Sequence, residues 1–252
     1  MTVTYVKRDG STVTDPRLGR LPEHDPRGLL NYPIAARLTA ARTAGKRRGK
    51  TWQAGDEVLD QGPDGACVGF AFTHERTAEP VPADAGSTEA MAVYRRAQYL
   101  DPWPETGIDG ADGTSILAGC KAAVEQGWFD LYEWCATVDD LVDVLTLPTV
   151  NAGEKYGPAV AGVNWHDSMF EPDDEGYLEV TGPIVGGHAV LVRGCRLKAR
   201  RHGKLTGEPV LVVRNSWGPE WGDGGDCYLL ASDFQRIMGD TPDVAVPVRR
   251  RK

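Results

Sequence analysis

At 252 residues, with 41% hydrophobic and 25% charged residues, the chain has an ordinary globular composition, which excludes collagen, coiled coil and disorder and allows two lobes sharing a cleft. A formal net charge of -8 argues against nucleic acid as a partner, because neutralising phosphates requires a basic face. Five cysteines leave at least one thiol unpaired, and the polar start of the chain lacks the apolar run of a signal peptide or membrane span, so a reducing, cytoplasmic location and no membrane partner are expected.

Residues 1–55 are rich in Pro, Gly, Arg and Thr and read as an irregular leader with one short helix over 34–44. The leader either straps the two lobes together or crosses the cleft between them. Beyond the turn formers Gly62 and Pro63, periodicity predicts a helix over 67–78 with Cys67 at its N-terminal end. Unpaired amides and the helix dipole there favour a thiolate and lower the thiol pKa. Further helices are predicted over 88–99, over 115–126 between the turn at 109–114 and Gly127, and over 139–145. From residue 159 the texture turns β-branched and glycine-punctuated, giving strands at 159–164, 177–180, 188–193, 210–214 and 227–230. Helices first and strands later imply an α+β protein in which two lobes face each other across a groove: a helical lobe about 56–145, a β lobe about 146–240 and a basic tail 241–252.

Three segments carry chemistry: Q-G-P-D-G-A-C from Gln61 to Cys67, G-G-H-A-V around His188, and N-S-W-G-P-E-W-G from Asn215. A thiol is a weak nucleophile until an imidazole takes its proton, and the imidazole needs a third group to fix its ring and tautomer. Cys67, His188 and Asn215 are the candidates for these roles. An oxyanion formed during acyl transfer needs donors placed in advance, and the Cys67 amide and the Gln61 side chain are the candidates.

These blocks, in this order, resemble the Cys, His and Asn blocks of the papain-like cysteine peptidases, over about residues 56–238. The resemblance implies a two-lobed fold with a helical N-terminal lobe, an antiparallel β-barrel-like C-terminal lobe and the active site between them. It implies hydrolysis of peptide bonds through a thioester on Cys67, with His188 as base, Asn215 as orienter, Gln61 in the oxyanion hole and the Trp217 indole shielding the Asn–His contact. Gly65, Asp112, Gly113, Gly187 and Trp217 are implied as substrate-binding. Gly186 and Gly187 open a roomy second subsite whose base the sequence does not disclose.

Asp64 stands where the family usually has a cysteine and Val68 where it has an aromatic residue, so one family disulfide is missing. The 27-residue separation of His188 and Asn215 places a hairpin insertion at 198–208. The disulfide-poor pattern and lack of a long helical propeptide look like bacterial or bacteriophage relatives. Acyl transfer or isopeptide cleavage by the same triad is the alternative activity, and a non-catalytic binding module the alternative class. No cofactor and no metal are implied: Cys120, Cys135, Cys195 and Cys227 lack C-x-x-C spacing, His74, His166 and His202 read as structural or exposed, and 173–175 and 223–226 read as solvated turns. A peptide or protein substrate and a monomeric state are expected. The basic run 42–50 is assigned no function.

Overall fold

The computed structural model describes residues 4–22, 32–101, 113–151, 156–239 and 243–250. A small hairpin, β1 (Tyr5–Val6) and β2 (Thr12–Val13), is followed by α1 (Ala35–Ala44) and β3 (Lys50–Thr51). The helices α2 (Cys67–Thr77), α3 (Ser87–Leu100) and α4 (Ile116–Glu125) come next. Then come β4 (Phe129–Cys135), α5 (Val138–Thr146), the single turn α6 (Pro148–Asn151) and β5 (Ala159–His166). The chain continues through β6 (Ile184–Arg196), the hairpin β7 (Arg200–Arg201) and β8 (Lys204–Leu205), β9 (Val210–Arg214), β10 (Asp226–Leu230), α7 (Ala231–Met238) and β11 (Asp243–Arg250).

The main sheet is antiparallel, in the order β10-β9-β6-β5-β11-β4, with β3 added to β6 beyond the end of β5. Alternation along β6 sorts its side chains between two cores. Val190 and Val192 join the cluster containing Leu141, Leu145 and Phe234 of α5 and α7. Ala189 and Leu191 face Val68, Phe72 and Ile116 of α2 and α4. Helix α2 thereby lies on the sheet with its first turn beside the His188 end of β6, and α3 approaches it so closely that a Cβ at Gly69 would fall 2.2 Å from the Ala90 carbonyl oxygen.

The helix starts follow their local chemistry. Ser115 caps α4 by accepting from the Ala118 amide at 3.2 Å, behind the left-handed turn at Gly113 (φ 73°). Thr137 and Asp140 cap α5 reciprocally. Ala66, before α2, offers no side-chain acceptor, so the first amides of that helix stay available to the Cys67 sulfur.

Several sequence expectations need correction. Residues 243–250 are not a tail: β11 is an interior strand between β5 and β4, with Val244, Val246 and Val248 in the core. Pro247 and the following arginines disguise its alternation. Strand β4 and helix α7 were also not anticipated. Residues 177–180 form no strand, only a bridge from Tyr177 to Tyr228; their alternation records burial against β10 instead of ladder pairing. The insertion at 198–208 is the β7–β8 hairpin. The basic run has structural partners: Arg42 pairs with Asp140 and Asp143, and Arg47 with Asp139 and Asp143, tying the segment to α5.

Candidate active site

Strand β6 delivers His188, and strand β9 ends at Arg214 and hands Asn215 to the site as its next residue, so the sheet's ladder positions both. His188 Nε2 lies 2.7 Å from Asn215 Oδ1, which also accepts from the Ser216 amide at 2.8 Å and is thereby aimed at the ring. Both residues are fully buried. The imidazole is enclosed by aromatic rings: Trp217 at 4.9 Å and Trp165, edge-on, at 4.8 Å between centroids. Phe170 stacks on Trp217 at 5.6 Å, and Trp221 abuts both Trp165 and Trp217. Trp165 and Phe170 escaped the sequence reading because the first closes a strand and the second sits in a short turn, with no spacing relative to His188 to betray them.

Behind Asn215, Arg214 and Arg193 converge on Asp226, with Arg214 Nε donating at 2.6 Å and Arg193 Nη2 closing on the other carboxylate oxygen. Burial opposes charge on Asp226, but the two guanidiniums hold its carboxyl below the usual range. This pins β6, β9 and β10 together where the His and Asn emerge.

Cys67 opens α2, wholly buried. Its sulfur faces the backbone amides of Ala189, Gly19 and Val68. Gln61 is fixed by its amide bonding the Ser216 carbonyl at 2.9 Å, and its Nε2 donates to the carbonyls of Asp64 at 2.6 Å and Arg17 at 3.1 Å. Asn215 Nδ2 and Gln61 Oε1 are buried polar atoms without hydrogen-bond partners, and the His188 ring also faces the Arg17 backbone.

The N-terminal segment accounts for the enclosure: of the two courses open to it in the sequence, it takes the one through the cleft. Gly19 lies so close to Gly65 that a Cβ would fall 1.9 Å from the Gly65 carbonyl oxygen. Thr114 N donates to Gly19 O, and Leu21 N to Thr114 O, both at 2.9 Å; Arg20 N donates to Gly187 O at 3.1 Å. The Arg17 guanidinium lies 4.2 Å from the centroid of the Trp217 ring. Gly65, Gly113, Gly187 and Trp217, four of the anticipated substrate-binding residues, thus line one groove, filled by residues 17–21; Asp112 lies outside the described residues. A surface cleft of about 840 Å³ between Gln53, Thr77 and Glu89 contains none of these groups.

Enclosure reverses one expectation. Burial pushes the Cys67 thiol up, outweighing the helix-start amides that were expected to lower it. Burial likewise pushes His188 down to about 4, against the Asn215 hydrogen bond that favours its charge. The closed groove therefore holds a neutral thiol and a neutral imidazole. All five cysteines are buried and unbridged. Among the described residues, no cluster of potential metal ligands occurs and no helix is long and apolar enough to cross a membrane.

A thiol at a helix start, an imidazole oriented by an amide and a groove between helices and sheet define the class: the chain has the papain-like cysteine protease fold. The cysteine protease xylellain from Xylella fastidiosa superposes with a TM-score of 0.64 at 17% identity, over 92% of this chain and 96% of that one. The procathepsin B S9 of Trypanosoma congolense gives 0.60 at 15% identity, over 94% and 88%. No family model matches the sequence. Its homologues are cysteine proteinases: a cathepsin B-like cysteine proteinase of Schistosoma japonicum is 33% identical over 70 residues, 28% of this chain and 18% of that protein. Cathepsin B-like cysteine proteinase 3 of Ostertagia ostertagi is 34% identical over 71 residues, 28% of this chain and 37% of that protein. The matches thus span less than two fifths of these relatives' lengths.

Proposed function

We propose that the chain is a cysteine endopeptidase that cleaves peptide bonds through a thioester on Cys67. The observation that carries this reading is the 2.7 Å contact of His188 Nε2 with Asn215 Oδ1, beneath Trp217 and in the same groove as a cysteine that starts a helix. With the groove open to water, His188 Nδ1 takes the thiol proton and the amides at the start of α2 stabilise the sulfur anion. Thiolate attack on a substrate carbonyl gives a tetrahedral oxyanion, held by the Cys67 amide and Gln61 Nε2. His188 returns its proton to the departing amine, then activates a water that hydrolyses the thioester.

Residues 17–21 block this sequence without undergoing it. The acyl part of a substrate lies along Gly65, Gly113 and Gly187, and its leaving part along Trp217. The N-terminal segment runs the other way, from Trp217 towards Thr114, and presents an amide of Gly19, not a carbonyl carbon, to the sulfur. Its Arg17 carbonyl takes the Gln61 donor.

The test is turnover of internally quenched peptides, isopeptides and an amine acceptor by the full chain and by Cys67→Ala. Peptide hydrolysis that disappears in Cys67→Ala supports the reading. Activity confined to isopeptides or to acyl transfer replaces it with the alternative chemistry, and activity retained by Cys67→Ala overturns it.

A further inference from the structure

Two basic stretches of sequence play no part in the peptidase chemistry: the run 42–50 and the insertion that opens at Lys198. The fold brings them together. Strand β3 pairs with the far end of β6, Lys50 opposite Cys195 and Thr51 opposite Gly194. The two segments approach so closely that a Cβ at Gly49 would fall 3.2 Å from the Cys195 carbonyl oxygen and 3.4 Å from the Leu197 amide nitrogen. Beside this contact lies a groove of about 470 Å³, and five of the nine residues lining it are cationic: Arg47, Arg48, Lys50, Arg196 and Lys198. Among the described residues no carboxylate lines it. In a chain of formal net charge -8, this positive concentration runs against the rest of the molecule.

Three of the five cations are held by their own neighbours. Arg47 is tied to Asp139 and Asp143 of α5, Lys50 Nζ lies 4.4 Å from the centroid of the Trp52 ring, and Arg196 lies 4.3 Å over Tyr228 and donates to its hydroxyl at 3.3 Å. Asp139 and Asp143 offset the charge of Arg47, and Glu79 acts on Lys50. The positive excess therefore rests on Arg48, Arg196 and Lys198, all exposed and without an ion pair among the described residues.

We propose that this groove binds a chain of phosphate groups, as carried by an inorganic oligophosphate or by the phosphate tail of a nucleotide. Its volume is that of a small-ligand site. Guanidiniums offer forked donors to phosphate oxygens, and lysines add point charges. A phosphate chain carries charge on every unit and acceptor oxygens on all sides, so cations contributed by both segments meet it at once. An extended acidic peptide turns alternate side chains away and presents only half of its charge to one groove. A nucleic-acid duplex is wider than a recess of this volume, and the net charge of -8 repels it. Because Arg47, Lys50 and Arg196 are already positioned, a ligand orders few additional side chains.

The inference is independent of the peptidase reading, and its test measures no turnover. Tripolyphosphate is titrated into the full chain in metal-free buffer, with binding followed by calorimetry and by the shift in Tm. One molecule is expected to bind per chain, with Kd rising at least about tenfold between about 50 and about 200 mM NaCl. Arg48→Glu combined with Lys198→Glu alters two exposed side chains; it is expected to leave the urea midpoint unchanged and to weaken binding at least about tenfold. An aspartate hexapeptide is expected to bind at least about tenfold more weakly than tripolyphosphate. ATP separates the two sources: affinity equal to that of tripolyphosphate supports a nucleotide tail, and weaker affinity a free oligophosphate. Absence of binding in both measurements overturns the assignment, as does binding that is unchanged in the doubly substituted chain. Equal affinity for the aspartate peptide also overturns it and gives the groove to acidic protein segments. None of these outcomes bears on Cys67.

Discussion

With residues 17–21 in place, Cys67 and His188 are both held in their neutral forms by burial, and that has consequences for pH. His188 is pushed down to about 4 and His74, buried on α2, to about 3, from an ordinary value of 6.5. Between pH 6.5 and about 4 the unfolded chain therefore binds more protons than the folded one, and stability falls as pH drops through that window. Urea unfolding of the full chain is expected to show a lower midpoint at about pH 5 than at about pH 7.5; equal midpoints contradict the burial of these two rings. Protonation of His188 also favours lifting of the segment that covers it. Gln61 gives a second expectation at this scale. If Gln61 donates to the oxyanion as proposed, Gln61→Ala should lower kcat by roughly 10²–10³ with KM little changed, measured on a quenched peptide. A loss confined to KM would mean that Gln61 binds substrate and not the oxyanion.

At the scale of elements, two junctions control the site. The first is the crossing of Gly19 over Gly65: the missing Cβ admits the N-terminal segment, and Gly19→Ala places a methyl group within a van der Waals radius of the Gly65 carbonyl. That variant should loosen the segment and raise the rate of Cys67 alkylation without altering the triad; an unchanged rate contradicts the account of how the groove is closed. The second is Asp226, which gathers Arg193 and Arg214 from β6 and β9. Asp226→Asn leaves two buried cations short of their anion, and a cost of about 3–5 kcal/mol is expected in denaturant unfolding. These junctions also show how far the sequence was legible. Helix α2, with Cys67 at its start, the strand bearing His188 and the strand that leads into Asn215 follow from periodicity, turn residues and three short segments. Strand β11 does not, because Pro247 and its terminal arginines break the local pattern while tertiary pairing with β4 and β5 imposes the strand. Gly19 and Arg20 lay in a stretch with no periodicity, and their role exists only across the groove, in contacts with residues far along the chain.

Across the whole molecule, one sheet serves two purposes: its α5 and α7 face builds the larger core, while its α2 and α4 face carries the helix that starts with Cys67. The N-terminal segment spans both, bonding Gly187 from the sheet and Thr114 from the helical layer. Closure of the groove is thus a property of the entire fold. It makes the accessibility of Cys67 the quantity to measure. The direct experiment is the pH-dependent rate of Cys67 alkylation by iodoacetamide in the full chain, in Gly19→Ala and in Gly19→Ala combined with His188→Ala, with the modified residue identified by mass spectrometry. Slow modification of the full chain, fast modification of Gly19→Ala persisting below the pKa of an ordinary thiol, and loss of that low-pH reactivity without His188 are the results expected of a covered, imidazole-activated nucleophile. Reactivity of Gly19→Ala that follows an ordinary thiol and is indifferent to His188 would contradict it.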